Sequence, residues 1–307
     1  MRIAIVGAGA MGSIFGARLT EAGDEVLLVD VSTTLVEKIN ADGVSVETKE
    51  GTTTTTKVPA TTSPPEELFD TVLFFVKCYH THAAADLAAP LVGEQTAVAT
   101  LQNGWGNGDV LATKFGRERT VVGVTYNSGT VRGVGAVAHT NTGPTFIGPY
   151  AASISAELAR PLGDSLAAAG FEVAVTDEAT TEVWKKLVLN CATLPTSALT
   201  RLTAGRVGHS DVLEVAHALA REATTVARAL GHDIDPEERV SAITSNLQAG
   251  GSGKASMLQD VEAGRKTEIG VISGAVVAAA ADHCIDVPLT KAMLILVEGL
   301  EEGAELK

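Results

Sequence analysis

Cysteine is scarce. Cys78, Cys191 and Cys284 are the only three in 307 residues, and they fall at no metal-ligating spacing. That excludes a thiolate metal site and predicts reduced thiols in a cytosol. Basic residues are also few: 23 Lys and Arg against 37 Asp and Glu leave a formal charge of −14. Phosphate backbones need a basic surface, so a nucleic-acid partner is not expected. The deficit does not forbid a small anionic substrate, because a few buried lysines make a local positive site. Long hydrophobic runs are missing too. No stretch reaches the ~18 residues of a membrane span without a charged or polar break, so no membrane association is expected. No cationic leader with a small-residue cleavage site precedes the first strand, and no internal repeat is present. These absences point to a cytoplasmic enzyme-sized chain.

What is present is ordinary for a folded protein, 45% hydrophobic and 20% charged residues over a length sufficient for two cores. The organising stretch is Met1 to Asp30. Arg2 to Val6 is a short apolar, β-branched run that leads directly into Gly7-Ala8-Gly9-Ala10-Met11-Gly12. A helical pattern follows (Met11, Ile14, Phe15, Leu19) and stops at Gly23; a second apolar run, Glu25 to Val29, ends in Asp30. Strand, glycine turn, helix, strand and acid make the βαβ unit of a dinucleotide-binding fold. Gly7 permits the tight turn, Gly9 lets backbone approach a pyrophosphate, and Gly12 lets the helix approach the sheet. The phosphates would sit on the N–H groups of Ala10, Met11 and Gly12 at the helix's positive end. Asp30 lies 18 residues past Gly12, where an acid receives a ribose 2′-OH and repels a 2′-phosphate. Val31-Ser32-Thr33-Thr34 offers no basic residue for that phosphate. On this chemistry NAD(H) is favoured over NADP(H).

Further along, Thr33 to Ala41 reads as a helix, and 43–48 with 52–58 as a hairpin. Thr71 to Val76 has the continuous apolar character of a buried parallel strand and ends in Lys77. A helix over 82–91 follows, then a strand over 96–101 ending in Gln102-Asn103-Gly104. Ligands in open parallel sheets sit beyond the strands' carboxyl ends, which assigns Lys77 and Asn103 to the cofactor side. Three runs, 120–130, 136–139 and 145–147, alternate and carry glycines, and are expected to extend the sheet as antiparallel strands. A helix over 154–169 and a last strand over 171–175 close this part. From Asp177 onward only helix periodicity remains: 178–203 with an interruption near Pro195, then 211–230, 236–248, 257–263, 267–283 and 288–303. The expected domains are 1–177 and 178–307.

Two stretches could carry chemistry. In Thr181 to Ala192, Lys186 and Asn190 are one turn apart on one face of an otherwise apolar helix. Polar groups placed so must open into a polar cleft or find partners. A lysine there can have its pKa lowered and give its proton to a substrate oxygen. Equally, Lys185 and Lys186 could snorkel at a domain edge. In Lys254 to Ile269, Gly264 breaks the helix that Ser256 opens, and Thr267 caps the next, with Glu268 in its first turn. On local grounds alone Glu268 reads as a helix-dipole partner, and Ser256 as an N-cap.

Taken together, GAGAMG at 7–12, Val76-Lys77, Gln102-Asn103-Gly104, KLVLNC at 186–191 and SMLQDVEAGRKTE at 256–268 resemble the ketopantoate reductase (2-dehydropantoate 2-reductase) family. The likeness runs nearly end to end with the motifs in family order. It implies an α/β chain: an N-terminal Rossmann dinucleotide-binding domain joined to a C-terminal all-helical domain for substrate and dimerisation. The implied reaction is NADPH-dependent reduction of ketopantoate to the D-2-hydroxy acid, on the route to pantothenate, by a cytoplasmic homodimer. By the same resemblance Lys186 is the general acid, and Glu268 orients it and a substrate hydroxyl. Asn190 and Ser256 hold the substrate, while Asn103 and Lys77 line the cofactor side.

Two departures from the family stand out. Asp30-Val31 occupies the place of a basic residue for the 2′-phosphate. Leu194 stands where the family has a second asparagine, four residues beyond Asn190, so Leu194 is expected to present apolar surface to the substrate. Both departures favour an alternative within the superfamily, an NAD-dependent D-2-hydroxyacid dehydrogenase akin to D-mandelate dehydrogenase. An alternative of another class is a non-catalytic NAD(P)-binding sensor, which would need the glycine turn but not the set of Lys186, Asn190, Ser256 and Glu268.

Overall fold

A computed structural model describes residues 1–303 in two compact units. One comprises residues 1–102 and 107–180; the other comprises 103–106 and the chain from 181 onward. The chain therefore passes from one to the other three times. The last four residues of the expected second domain lie outside the described residues.

The first unit carries the strands β1 (Arg2–Val6), β2 (Glu25–Val29), β3 (Val44–Glu47), β4 (Thr53–Thr56), β5 (Ala60–Thr61), β6 (Thr71–Phe74), β7 (Ala97–Thr100), β8 (Thr120–Thr125), β9 (Ser128–Gly133), β10 (Ala136–Asn141), β11 (Thr145–Pro149) and β12 (Val173–Val175). Its helices are α1 (Ala10–Glu21), α2 (Thr33–Asp42), α3 (Thr81–Ala88), α4 (Asn107–Phe115) and α5 (Arg160–Ala168). Eight strands form one sheet in the order β12-β11-β8-β7-β6-β1-β2-β5. The run from β8 through β5 is parallel, and β11 is antiparallel to β8. β1 lies inside the sheet, with β2 on one side and β6 on the other, so the strand order reverses beside it. This is the Rossmann architecture, and its ligand position lies beyond the carboxyl ends of β1, β2 and β6. Buried aliphatic and aromatic residues cover both faces: Phe15, stacked on Phe171 at 4.2 Å, belongs to one core, and Phe74, Leu91 and Leu111 to the other.

β9 and β10 do not extend this sheet as expected. They join β3 and β4 in a separate four-stranded sheet, β4-β3-β10-β9. β10 runs parallel to β3, with Ala136 opposite Ser45, and antiparallel to β9. Alternation prescribes a half-buried strand without naming its neighbour. Buried β8 ends at Thr125 rather than 130. The expected helix at 82–91 is shorter, Thr81–Ala88 followed by a 3-10 turn at Ala89–Leu91, because Pro90 has no N–H to continue it. Helix α4 had no expectation.

The helical unit holds α6 (Ala179–Thr200), which begins in the first unit, α7 (Ala204–Gly208), α8 (Val212–Ala229), α9 (Pro236–Ala249), α10 (Ser256–Glu262), α11 (Ile269–Asp282) and α12 (Pro288–Gly303). α6 runs unbroken through Pro195, against the expected interruption. An internal proline costs ~3 kcal/mol in a helix, but residues 191–198 are buried from end to end, and that packing holds the helix. Thr196 Oγ1 adds bonds to the carbonyls of Ala192 and Thr193 at 3.0 and 2.9 Å. The start of α11 also differs by one residue. Glu268 occupies the N-cap position and Ile269 begins the helix, while Thr267 Oγ1 accepts from the Ile269 N–H at 3.2 Å. No described helix is long and apolar enough to cross a membrane.

Candidate active site

The glycine turn leaves β1 at Val6. Gly7 has φ +102°, a conformation that L side chains rarely adopt, and a Cβ there would lie 2.8 Å from the Val76 nitrogen. A Cβ on Gly12 would lie 1.9 Å from the Gly7 carbonyl oxygen, which is how closely α1 approaches the turn. Gly9 is different: it is exposed, and a Cβ would meet nothing within 4 Å. Gly9 is the N-cap of α1, the cap has no side-chain hydrogen bond, and the first turn (Ala10, Met11) has no acid. The positive helix end with open space in front suits an anionic phosphate.

Asp30 follows β2. Its Oδ2 accepts from the Ala8 N–H and its Oδ1 from the Ser32 N–H, both at 2.9 Å. These bonds orient the carboxylate beside the turn and leave each oxygen a further lone pair for a ribose diol. The residues present therefore fit a dinucleotide.

Lys77 stands just beyond β6, half-buried. Beyond β7, the Gln102 amide donates to the Val76 carbonyl at 2.7 Å and to Thr81 Oγ1 at 2.9 Å. Thr81 in turn donates to Asn107 Oδ1 at 2.9 Å. Gln102 and Asn107, which flank the 103–106 segment, are thus tied together through one threonine.

In the helical unit, Lys186 Nζ donates to Asn103 Oδ1 at 2.9 Å, although 83 positions separate them. Burial pushes the Lys186 pKa down from the ordinary 10.5 to about 8, against the opposing pull of the Glu268 carboxylate. Glu268 is itself buried, 8% exposed. One turn along α6, Asn190 is 7% exposed, and its amide makes no hydrogen bond to any described residue. An amide placed so has donors and an acceptor to offer a bound molecule or water. Neighbouring Lys185 points elsewhere, to Glu182 at 2.7 Å. Lys186, Asn103 and Glu268 are thus brought together, with Asn190 on the same helix face. Asn103, expected on the cofactor side, belongs to the helical unit. Ser256 is exposed at the start of α10, without a hydrogen bond to this group. Leu194 is 8% exposed and counts among the apolar core of the helical unit.

Two family models match the chain: ketopantoate reductase PanE/ApbA over residues 3–152 and its C-terminal counterpart over residues 178–301. The chain belongs to the ketopantoate reductase family. A 2-dehydropantoate 2-reductase of Archaeoglobus fulgidus is 32% identical over 98% of both chains. Among solved structures, a PanE/ApbA family ketopantoate reductase from Ralstonia eutropha is 32% identical over 99% of both chains, with a TM-score of 0.88. A D-mandelate dehydrogenase solved with NADH and anilino(oxo)acetate superposes with a TM-score of 0.94 over the whole of both chains. At 24% identity that likeness concerns the fold alone.

Residues 104–106 of this ketopantoate reductase family member had no expected role beyond the motif. Gly104, Trp105 and Val271 nevertheless meet: Trp105 N–H donates to the Val271 carbonyl at 2.9 Å. The available signal was compositional, since Trp105 and Trp184 are the only two tryptophans and each lies two residues from a site residue.

Proposed function

We propose that this protein reduces a 2-keto acid to the D-2-hydroxy acid with a reduced nicotinamide dinucleotide, ketopantoate to pantoate first among substrates. The observation that carries this reading is Lys186: a lysine with its pKa lowered by burial to about 8, held by Asn103 and facing the charge of Glu268. At neutral pH it is mostly protonated, yet acidic enough to give up that proton. A reduced dinucleotide whose phosphates are held at the glycine turn would supply the hydride to the carbonyl carbon. Lys186 gives its proton to the carbonyl oxygen as that oxygen takes the π pair, so the products are the hydroxy acid, the oxidised dinucleotide and the neutral amine. The amine is then reprotonated from solvent. Glu268 keeps the ammonium oriented, and the Asn190 amide, without a hydrogen bond to another described residue, supports a place for the substrate's polar groups. Ser256 and Lys77 complete the substrate and cofactor sides in this reading. A sensor would have no use for a lysine so buried and so paired.

Two refinements belong to the same proposal. Asp30 favours NADH over NADPH. Leu194, one turn past Asn190, favours a keto acid with an apolar branch over one with a hydroxyl. A missing hydrogen bond to a substrate hydroxyl costs ~0.5–1.5 kcal/mol, and an apolar contact contributes ~0.8 kcal/mol per buried CH₂. A homodimer is the proposed assembly, with exposed Ile295 and Leu296 on α12 as apolar surface for it.

The test is a panel of 2-keto acids run with NADH and NADPH in parallel. Oxidation of the reduced cofactor by ketopantoate or 2-ketoisovalerate is the expected result; no turnover across the panel would sink the enzyme reading. Within it, 2-ketoisovalerate should match or exceed ketopantoate in kcat/KM, and Leu194→Asn should move the ratio toward ketopantoate. A ratio unmoved by Leu194→Asn would remove Leu194 from the site.

A further inference from the structure

Both tryptophans of this chain lie in one cluster. The Trp105 and Trp184 ring centroids are 5.6 Å apart, tilted by 45°. His232 stacks on Trp184 at 5.6 Å and meets Trp105 edge-on at 6.5 Å. The His232 ring is held in turn, with Nδ1 3.0 Å from Thr181 Oγ1. Trp184 is fully buried and Trp105 half-buried. Trp105 therefore plugs into the helical unit, although its neighbours in sequence, Gln102 and Asn107, belong to the first unit.

The backbone of the segment is fitted to the same surface. Gly104 has φ +85°, and a Cβ there would lie 2.5 Å from both Cγ2 and the carbonyl oxygen of Val271. The next N–H, that of Trp105, bonds the same Val271 carbonyl at 2.9 Å. One residue before Gly104, Asn103 Oδ1 accepts from Lys186 Nζ at 2.9 Å. Trp184 and Lys186 are two positions apart on α6, about 200° around the helix axis. The four-residue segment thus holds α6 on two sides, by an aromatic ring on one and an amide on the other. With glycine at 104 and 106, the segment has little intrinsic order and needs such an anchor.

We propose that Trp105 is a positioning residue: docked on Trp184 and His232, it holds the Asn103–Gly106 segment on the helical unit so that Asn103 keeps the Lys186 ammonium in place. Trp105 itself touches no reacting atom. This inference rests on Lys186 as the proton donor. It extends that reading to a residue that neither the glycine turn nor the lysine motif includes.

The test combines Trp105→Ala, Trp105→Phe, Gly104→Ala, Asn103→Ala and the Asn103→Ala/Trp105→Ala double variant, each with a Tm and a full kcat and KM determination. A displacement of about 1 Å at a reacting group can lower a rate by ~100-fold. Trp105→Ala is expected to lower kcat by ~10–100-fold on that scale, with KM for the dinucleotide little changed. Trp105→Phe, which keeps a ring in the cluster, should recover most of it. If Trp105 acts through Asn103, the double variant is no slower than Asn103→Ala alone. Gly104→Ala keeps both tryptophans but pushes the segment off Val271. It should lose both kcat and the exciton band of the paired indoles in circular dichroism. The proposal is overturned if Trp105→Ala retains wild-type kcat, if the two single effects multiply in the double variant, or if Gly104→Ala loses kcat with the exciton band intact. An active Lys186→Ala would remove the underlying reading. An inactive Lys186→Ala beside a fully active Trp105→Ala would remove the positioning role alone.

Discussion

Lys186 carries two consequences of opposite sign. As the acid it must be protonated, so kcat/KM for keto-acid reduction should fall as pH rises through about 8. Oxidation of the hydroxy acid needs the neutral amine and should rise through the same range. Lys186→Ala should lower kcat by ~10²–10⁴-fold, the usual worth of a positioned general acid. Lys185→Ala should change it far less, because Lys185 is paired with Glu182. For stability, the folded pKa is lowered from 10.5 to about 8. Between those values the unfolded chain binds more protons than the folded one, so this group makes stability rise with pH there. Lys186→Met should therefore raise Tm most below pH 8, with the gain shrinking toward pH 10.5; a gain growing over that interval would contradict the burial of the charge. Asp30 sets a second expectation. Like charges ~4 Å apart repel strongly even at a surface-like dielectric. The preference for NADH over NADPH should thus reach at least ~10-fold in kcat/KM, about 1.4 kcal/mol. A measured NADPH preference would show a basic residue from elsewhere overriding Asp30. Asp30→Asn should narrow the ratio and weaken the turn, since an amide NH₂ cannot accept from either the Ala8 or the Ser32 N–H.

At the scale of the element, the turn before α1 separates glycines needed for folding from one needed for binding. Gly12→Ala would bring a methyl to 1.9 Å from a backbone oxygen that no rotamer change can move. It should lose ~1–3 kcal/mol of stability or more, as overpacking does. Gly9→Ala meets no protein atom within 4 Å. It replaces one weak N-cap by a poorer one, a loss below about 1 kcal/mol. Its Tm should stay near wild type while dinucleotide affinity, measured by titration calorimetry, drops clearly. Equal losses of Tm in both variants would mean that Gly9 is structural and the space before it is not the phosphate position. The face of α6 was legible in the same local way: Lys186 and Asn190 share it because 3.6 residues make a turn. That the helix would continue through Pro195 was not legible. A proline signals a break, and only the burial of residues 191–198 outweighs it.

At the scale of the molecule, the two units are interleaved in sequence, because residues 103–106 belong with the helices. Residues 178–303 expressed alone would hold α6 to α12 but lack Trp105. The Trp184 ring, which Trp105 helps bury, would then meet water. The expected result is a red-shifted tryptophan emission relative to the intact Trp105→Phe protein, in which Trp184 is likewise the only tryptophan. Matching spectra would mean that other residues bury Trp184 without this segment. The scarcity of basic residues acts at this scale too. With a formal charge of −14, attraction for an anionic keto acid must come from placed groups such as Lys186 rather than from the overall field.

Local geometry alone determined much of this protein. A turn that needs glycine at φ +102°, an acid at the end of the second strand and continuous apolar strands all have short-range causes, so they were written in residues 1–30 and 71–101. The helical second half followed from its 3.6-residue period. Only the tertiary structure decided the rest. Alternating residues in β9 and β10 suit any open edge, and β3 became the partner only when the chain brought it near. Asn103 reached Lys186 across 83 positions, a contact with no period and no spacing to announce it. The lowered pKa of Lys186 comes from burial by distant segments. Long-range packing, not local propensity, converts that lysine from a surface charge into an acid.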